Sequence, residues 1–111
     1  MLLQEVSAPK NDSKDHAKID YIVLRKAAMV LRAVNHKLRQ QIMKLIEEKK
    51  KITVTEIYVK LRLEQSVASQ HLAILRRAKV VKTEREGKFI YYAINHEKIS
   101  QVSDIINDLV Q

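Results

Sequence analysis

A mainly α chain with one small β-hairpin near its C-terminal end is the fold class this sequence predicts, and three observations carry the prediction. Apolar residues recur at three- and four-residue spacing through five separate stretches, the period of an amphipathic helix. Between residues 81 and 94 the period switches from helical to alternating around the single glycine, Gly87. The chain has no cysteine and one proline, Pro9, so neither a disulfide framework nor proline breaks organise what lies between.

Taken in order, residues 1–13 hold that proline with weak periodicity and are expected to form a mobile tail, leaving residues 14–111 as one domain. The first helix is expected over about 14–34, from Ile19, Ile22, Val23, Ala27, Val30, Leu31 and Val34. Asn35 is suited to cap a second helix over about 36–48, whose Leu38, Ile42, Leu45 and Ile46 share a face and which the charged run at 47–51 closes. Thr53 or Thr55 can begin a short third helix containing Ile57 and Leu61.

After a turn at 62–64, a fourth helix runs over about 65–78 through SVASQHLAILRRAKVV. At about 100° per residue, Ala68, His71, Leu72 and Leu75 fall on one side. Ser66, Gln70, Ala73 and Arg77 fall on the other, flanked by Ser69 and Val67. Lys and Glu would be the commoner choice for a face that only had to be soluble. Two strands follow, with Val81 and Thr83 in the first and Ile90, Tyr92 and Ile94 alternating against Phe89 and Tyr91 in the second. Gly87 lies where the turn asks for positive φ. Lys82, Arg85 and Lys88 make this hairpin basic, and a last helix over about 96–110 carries Ile99, Val102, Ile106, Leu109 and Val110.

The order α-α-α-α-β-β-α, with a short helix pair followed by a basic hairpin, is that of a winged helix-turn-helix. A domain this small buries a modest fraction of its surface and gains from association. The apolar first and last helices are therefore expected to form a homodimer through Ile19, Ile22, Val23 and Val30 with Ile99, Val102, Ile106 and Leu109.

The formal charge is +8, and its location matters more than its size. Residues 36–95 carry 14 Lys and Arg against 6 Asp and Glu, whereas the flanks are balanced at 7 against 7. A basic centre between neutral flanks points to a polyanion-binding unit held between association segments. No apolar run reaches the roughly 20 residues of a membrane span, and no basic region followed by an apolar block opens the chain. With the absence of cysteine, this leads to the expectation of a cytoplasmic protein that needs no membrane and no cofactor. An enzyme is disfavoured because there is no cysteine nucleophile, no glycine-rich phosphate loop and no gathered set of His and carboxylates.

Three blocks, LRAVNHKLRQQIMKLI, SVASQHLAILRRAKVV and REGKFIYYAIN, together spanning about residues 31–95, resemble the ArsR/SmtB group of bacterial winged-helix repressors in order and separation. The resemblance implies a homodimer whose fourth helix enters the major groove of double-stranded DNA while the hairpin forms the wing. Arg39 matches the arginine of that group's second-helix motif, and His71 with Leu72 its His-Leu pair.

On this reading the bases are met by Gln65, Ser66, Val67, Ser69 and Gln70, since Gln can pair with adenine, Ser with several bases and an apolar group with the thymine methyl. Arg62, Arg76, Arg77, Lys82, Arg85 and Lys88 are the candidates for the phosphate backbone. His71 borders the apolar stripe and reads more simply as a packed or hydrogen-bonded histidine than as a base reader or metal ligand. Arg39 fits an ion-pair role and a phosphate contact equally well.

Departures from the family pattern concern control. Thr53 and Thr55 stand where many members carry metal-binding cysteines, and hydroxyls are poor ligands for soft metals. The last helix offers His96, Glu97, Asp104 and Asp108 without the second histidine of the other common site. A site from Asp12, Asp15, His16, His96 and Asp104 is a minor alternative to ordinary solvated charges, so no metal sensor is expected and the inducer is left unassigned. Glu64 replaces the usual capping serine of the reading helix, and Lys79 the glycine that usually ends it. The expected function is a dimeric, sequence-specific regulator of repressor type on an inverted-repeat operator. A winged-helix protein-interaction module and a non-specific nucleic-acid binder are the alternatives.

Overall fold

The computed structural model describes residues 17–111, so the expected mobile tail at 1–13 and the candidate ligands Asp12, Asp15 and His16 lie outside the described residues. The element order is α1 (Tyr21–Val34), α2 (Lys37–Lys49), β1 (Ile52–Thr53), α3 (Val54–Leu61), α4 (Gln65–Arg77), β2 (Val81–Glu86), β3 (Phe89–Ile94) and α5 (His96–Leu109). Five helices and the hairpin thus appear in the expected order. One strand was not foreseen: β1 pairs antiparallel with β3, Ile52 opposite Tyr92, giving a three-stranded sheet in the order β1-β3-β2.

Two boundaries differ from expectation for local reasons. α1 begins at Tyr21 because Asp20 caps it, its carboxylate accepting from the N–H groups of Ile22 at 3.0 Å and Val23 at 3.3 Å. Asn35 closes α1 instead of capping α2, its own N–H donating to the Leu31 carbonyl. The cap of α2 is His36, whose ring Nδ1 accepts from the N–H groups of Leu38 (3.2 Å) and Arg39 (3.4 Å). α3 opens with a reciprocal cap: the Thr53 hydroxyl accepts from Glu56 N–H, and the Glu56 carboxylate accepts from Thr53 N–H at 3.0 Å. The Thr53 N–H and the Thr53 hydroxyl, both donating to the Glu56 carboxylate, hold it below its ordinary pKa.

One core gathers Ile42 and Ile46 of α2, Ile57 of α3, Leu72 and Leu75 of α4, and Val80 beyond it, all fully buried. The stripe read on α4 is the face that packs there, with Ala68, Leu72 and Leu75 at 0 % exposure. Burying each of the leucines is worth about 1.5–3 kcal/mol, enough to fix which way α4 faces.

Where the chain leaves a helix it uses cations in the left-handed region: Lys50 (φ 71°), Arg62 (φ 58°) and Lys79 (φ 66°). At Lys79 this closes a Schellman turn, with Val80 N–H donating to Leu75 carbonyl at 3.2 Å and Lys79 N–H to Arg76 carbonyl at 3.0 Å. The expectation that a non-glycine residue would take that conformation is met, and a positive charge beside the helix C-terminus offsets part of its cost. Gly87 (φ 62°) occupies the hairpin turn, where an added Cβ would meet nothing, so its conformation alone calls for glycine.

Candidate nucleic-acid interface

α4 has one packed side and one free side. Gln65, Ser66, Ser69 and Gln70 are exposed together on the free side, whereas Val67 is half-buried on its flank. Glu64 precedes the helix as N-cap without a side-chain cap bond, leaving the first-turn N–H groups of α4 open to an acceptor. Of the cationic candidates, Arg62 ends α3 exposed, and Arg76 and Arg77 are exposed in the last turn of α4. At about 1.5 Å per residue they lie about 17 Å along the helix from Gln65, so the two ends of α4 meet different parts of any duplex.

The wing is less uniformly basic than its Lys and Arg suggest. The register pairs Lys82 with Ala93, Glu84 with Tyr91 and Glu86 with Phe89, so these six share one face. On that face Lys82 lies 4.0 Å from Glu84, and Glu86 accepts a hydrogen bond from Lys51, whose pKa this partner raises. Lys51 also stands over the Tyr91 ring at 5.2 Å. Arg85 lies on the opposite face, paired with Ile90, and donates to the Gly87 carbonyl at 3.4 Å. Lys88 lies over Phe89 at the tip. Sequence reading missed Lys51 and the two wing carboxylates. Alternation through VKTERE carried the signal for the carboxylates, while Lys51 reaches the wing only through the unforeseen β1.

Arg39 is half-buried and forms no ion pair among the described residues. Its guanidinium donates to the carbonyls of Ala33 (2.7 Å) and Arg32 (3.1 Å) at the end of α1, and reaches Nδ1 of His71 on α4 at 3.2 Å. Because guanidinium only donates, Nδ1 of His71 must be the acceptor and its proton sits on Nε2. Burial, then the neighbouring His36 and Arg39, pushes the His71 pKa down, so the ring is neutral at neutral pH. His71 is therefore the hydrogen-bonded histidine expected from its place beside the stripe.

At the other end of α4, Asn95 donates through Nδ2 to the Lys79 carbonyl at 2.9 Å and accepts from Lys98 N–H, joining the exit of α4 to the start of α5.

The residues assigned to a dimer face divide by exposure. Ile19, Ile22, Val23 and Leu109 are more than half exposed, and Ile106 is 38 % exposed. Val102 is buried within the protomer, and Val30 and Ile99 pack against its core. Leu24, Met29, Ile105 and Val110 are further exposed apolar residues on or beside α1 and α5. No group of three or more potential metal ligands occurs among the described residues.

Residues 36–83, from the cap of α2 through the start of β2, match the bacterial regulatory protein, arsR family model. The transcriptional repressor PagR of Bacillus anthracis is 38 % identical over 95 residues, covering 86 % of this chain and 94 % of PagR. The chain belongs to the ArsR family. The PagR crystal structure superposes on this ArsR-family regulator with a TM-score of 0.62 over 81 % of this chain and 99 % of that one. The transcriptional activator HlyU of Vibrio cholerae is 31 % identical over 84 residues, 76 % of this chain and 77 % of HlyU. An ArsR-like regulator from Rhodococcus sp. RHA1 shares the fold at a TM-score of 0.70 and 15 % identity, covering 78 % of this chain and 81 % of that one. This protein is a transcriptional regulator of a non-enzymatic, DNA-binding family. No helix among the described residues is long and apolar enough to cross a membrane.

Proposed function

We propose that this ArsR-family regulator acts in the cytoplasm as a homodimer that recognises an inverted-repeat operator and represses transcription from it. The observation that carries the reading is the division of α4, whose Ala68, Leu72 and Leu75 are sealed in the core while Gln65, Ser66, Ser69 and Gln70 are exposed side by side. Short donors and acceptors on a rigid helix suit the edges of base pairs in the major groove, and Val67 suits a thymine methyl. Arg62, Arg76, Arg77, Arg85 and Lys88 supply the phosphate contacts, and Lys82 joins them only by leaving Glu84. Repression rests on the similarity to PagR.

Dimerisation rests on the exposed apolar residues of α1 and α5, which a lone protomer leaves in water. Two-fold symmetry then sets the half-sites about one helical turn apart, or a small multiple of it. Control operates without cysteine-bound metal, since Thr53 and Thr55 occupy α3 and its cap.

Selection from a randomised duplex library, with competitor DNA at near-physiological salt, tests the reading. Enrichment of one inverted repeat supports it. Unenriched sequence with binding that vanishes as salt rises would leave a non-specific basic surface.

A further inference from the structure

Two ties connect the reading helix to the helices that leave the winged core. At the exit of α4, Asn95 binds the Lys79 carbonyl and begins α5. In the middle of α4, Arg39 spans from the last carbonyls of α1 to His71. The first tie lies at the C-terminal end of α4. The second holds the middle of α4, where His71 lies one residue beyond the proposed base reader Gln70. Both carbonyls that Arg39 caps belong to the final turn of α1, where backbone acceptors have no helical partner.

We infer that Arg39 is a positioning residue for operator recognition: by holding His71 against the end of α1, it fixes the angle between the proposed dimer helix and the reading helix, and so the half-site spacing the dimer accepts. The inference rests on the dimeric operator-binding reading. Arg39 itself need touch no DNA. Lysine in its place keeps the charge but has no planar fork to satisfy two carbonyls and a ring nitrogen at once.

Protonation offers an independent way to break the same tie. Adding a proton to Nδ1 of His71 turns the acceptor into a donor facing a guanidinium. Among the described residues, the titratable and charged groups that face the ring are His36, whose ring centroid is 5.0 Å away, and Arg39. Neither would stabilise a second cation. With the folded pKa below the ordinary value of 6.5, the unfolded chain binds the proton first, so the stability that this neutral ring contributes is complete above about pH 6.5 and drains away as pH falls towards the folded pKa. The tie itself breaks, and the reading helix loosens, only as pH falls through the folded pKa, at the lower end of that window.

The experiment compares wild type, Arg39→Lys and His71→Gln on the selected operator, on versions with the half-site spacing changed by one base pair, and on random duplex. Dimerisation and thermal unfolding are followed alongside. Arg39→Lys should lower affinity for the native spacing about tenfold, from the loss of net hydrogen-bond energy in each protomer. It should leave random-duplex affinity within about twofold, and flatten the preference for the native spacing, since charge is conserved. Wild type should lose operator preference as pH falls through the folded pKa of His71, which lies below the ordinary 6.5, whereas His71→Gln, whose side-chain oxygen accepts from Arg39 without titrating, should keep it.

Equal loss on operator and random duplex, or loss of the dimer with spacing preference intact, would overturn the inference and leave Arg39 a purely structural residue. Should Arg39→Lys fail to fold, the pH profiles decide: parallel wild-type and His71→Gln curves refute the inference, and divergent ones support it. A wild-type protein with no preferred sequence would sink the operator reading and this inference together. A clear preference unmoved by these changes sinks only the inference.

Discussion

Replacing Gln70 with alanine isolates base reading from folding. Gln70 is exposed on the free side of α4, one residue before the His71 tie and four before the half-buried Ile74. Its side chain makes no hydrogen bond within the protein among the described residues, so truncation should change stability by no more than about 0.5 kcal/mol. A glutamine paired in two-pronged fashion with one adenine discriminates by about 1–3 kcal/mol. A symmetric dimer applies that discrimination at both half-sites, giving about 2–6 kcal/mol per operator, or roughly 30-fold and upward in affinity ratio. Competition binding of the selected operator against versions substituted one base at a time measures the ratio at fixed salt. The expected result is loss of preference at one symmetric pair of positions, with affinity for random duplex and the unfolding midpoint unchanged. An unaltered preference at every position, or a uniform fall on all duplexes, would mean that the exposed row of α4 is not the reading face.

Joint charge reversal, Arg85→Glu with Lys88→Glu, should weaken binding to every sequence alike; salt titration should show the slope of log affinity against log salt reduced by up to about 3–4 for four lost cations per dimer. A selective loss would make the wing a base reader. Removing the Thr53 hydroxyl by Thr53→Ala breaks half of the reciprocal cap of α3. Thermal unfolding should then show a cost of about 1 kcal/mol, or a midpoint lower by about 4–8 °C. Lys79→Gly should raise that midpoint, because the gain from relieving a left-handed φ of 66° exceeds the entropy glycine adds to the unfolded chain, leaving up to about 1 kcal/mol. A lower midpoint would show that the lysine's charge at the end of α4 outweighs the strain.

What the sequence by itself determined was set by sterics and by periodicity within a short window. The burial of Ala68, Leu72 and Leu75, the change of period at Val81 and the positive φ at Gly87 each follow from residues within one or two turns of each other. The left-handed conformation of Lys79 was expected from the resemblance alone, because Lys79 stands where the family usually has the glycine that ends this helix. The exposed polar row of α4 was legible too, as the complement of its apolar stripe.

Contacts between distant segments were decided only by tertiary structure. β1 is two residues long, too short to show any alternation, and exists because packing of α2 and α3 brings Ile52 beside Tyr92, 40 positions away. His36 caps α2 although histidine is not a usual capping residue, because its Nδ1 meets the free N–H groups there. Arg39 had open to it the roles of ion-pair partner and phosphate ligand, and nothing within a helical turn of it chooses between them. Folding brings the end of α1 and His71 together around the guanidinium, which donates to two carbonyls and a ring nitrogen. Likewise the wing's charge could be counted from sequence, but which lysines are already matched could not, because Lys51 meets Glu86 across 35 residues of chain that only the sheet draws together.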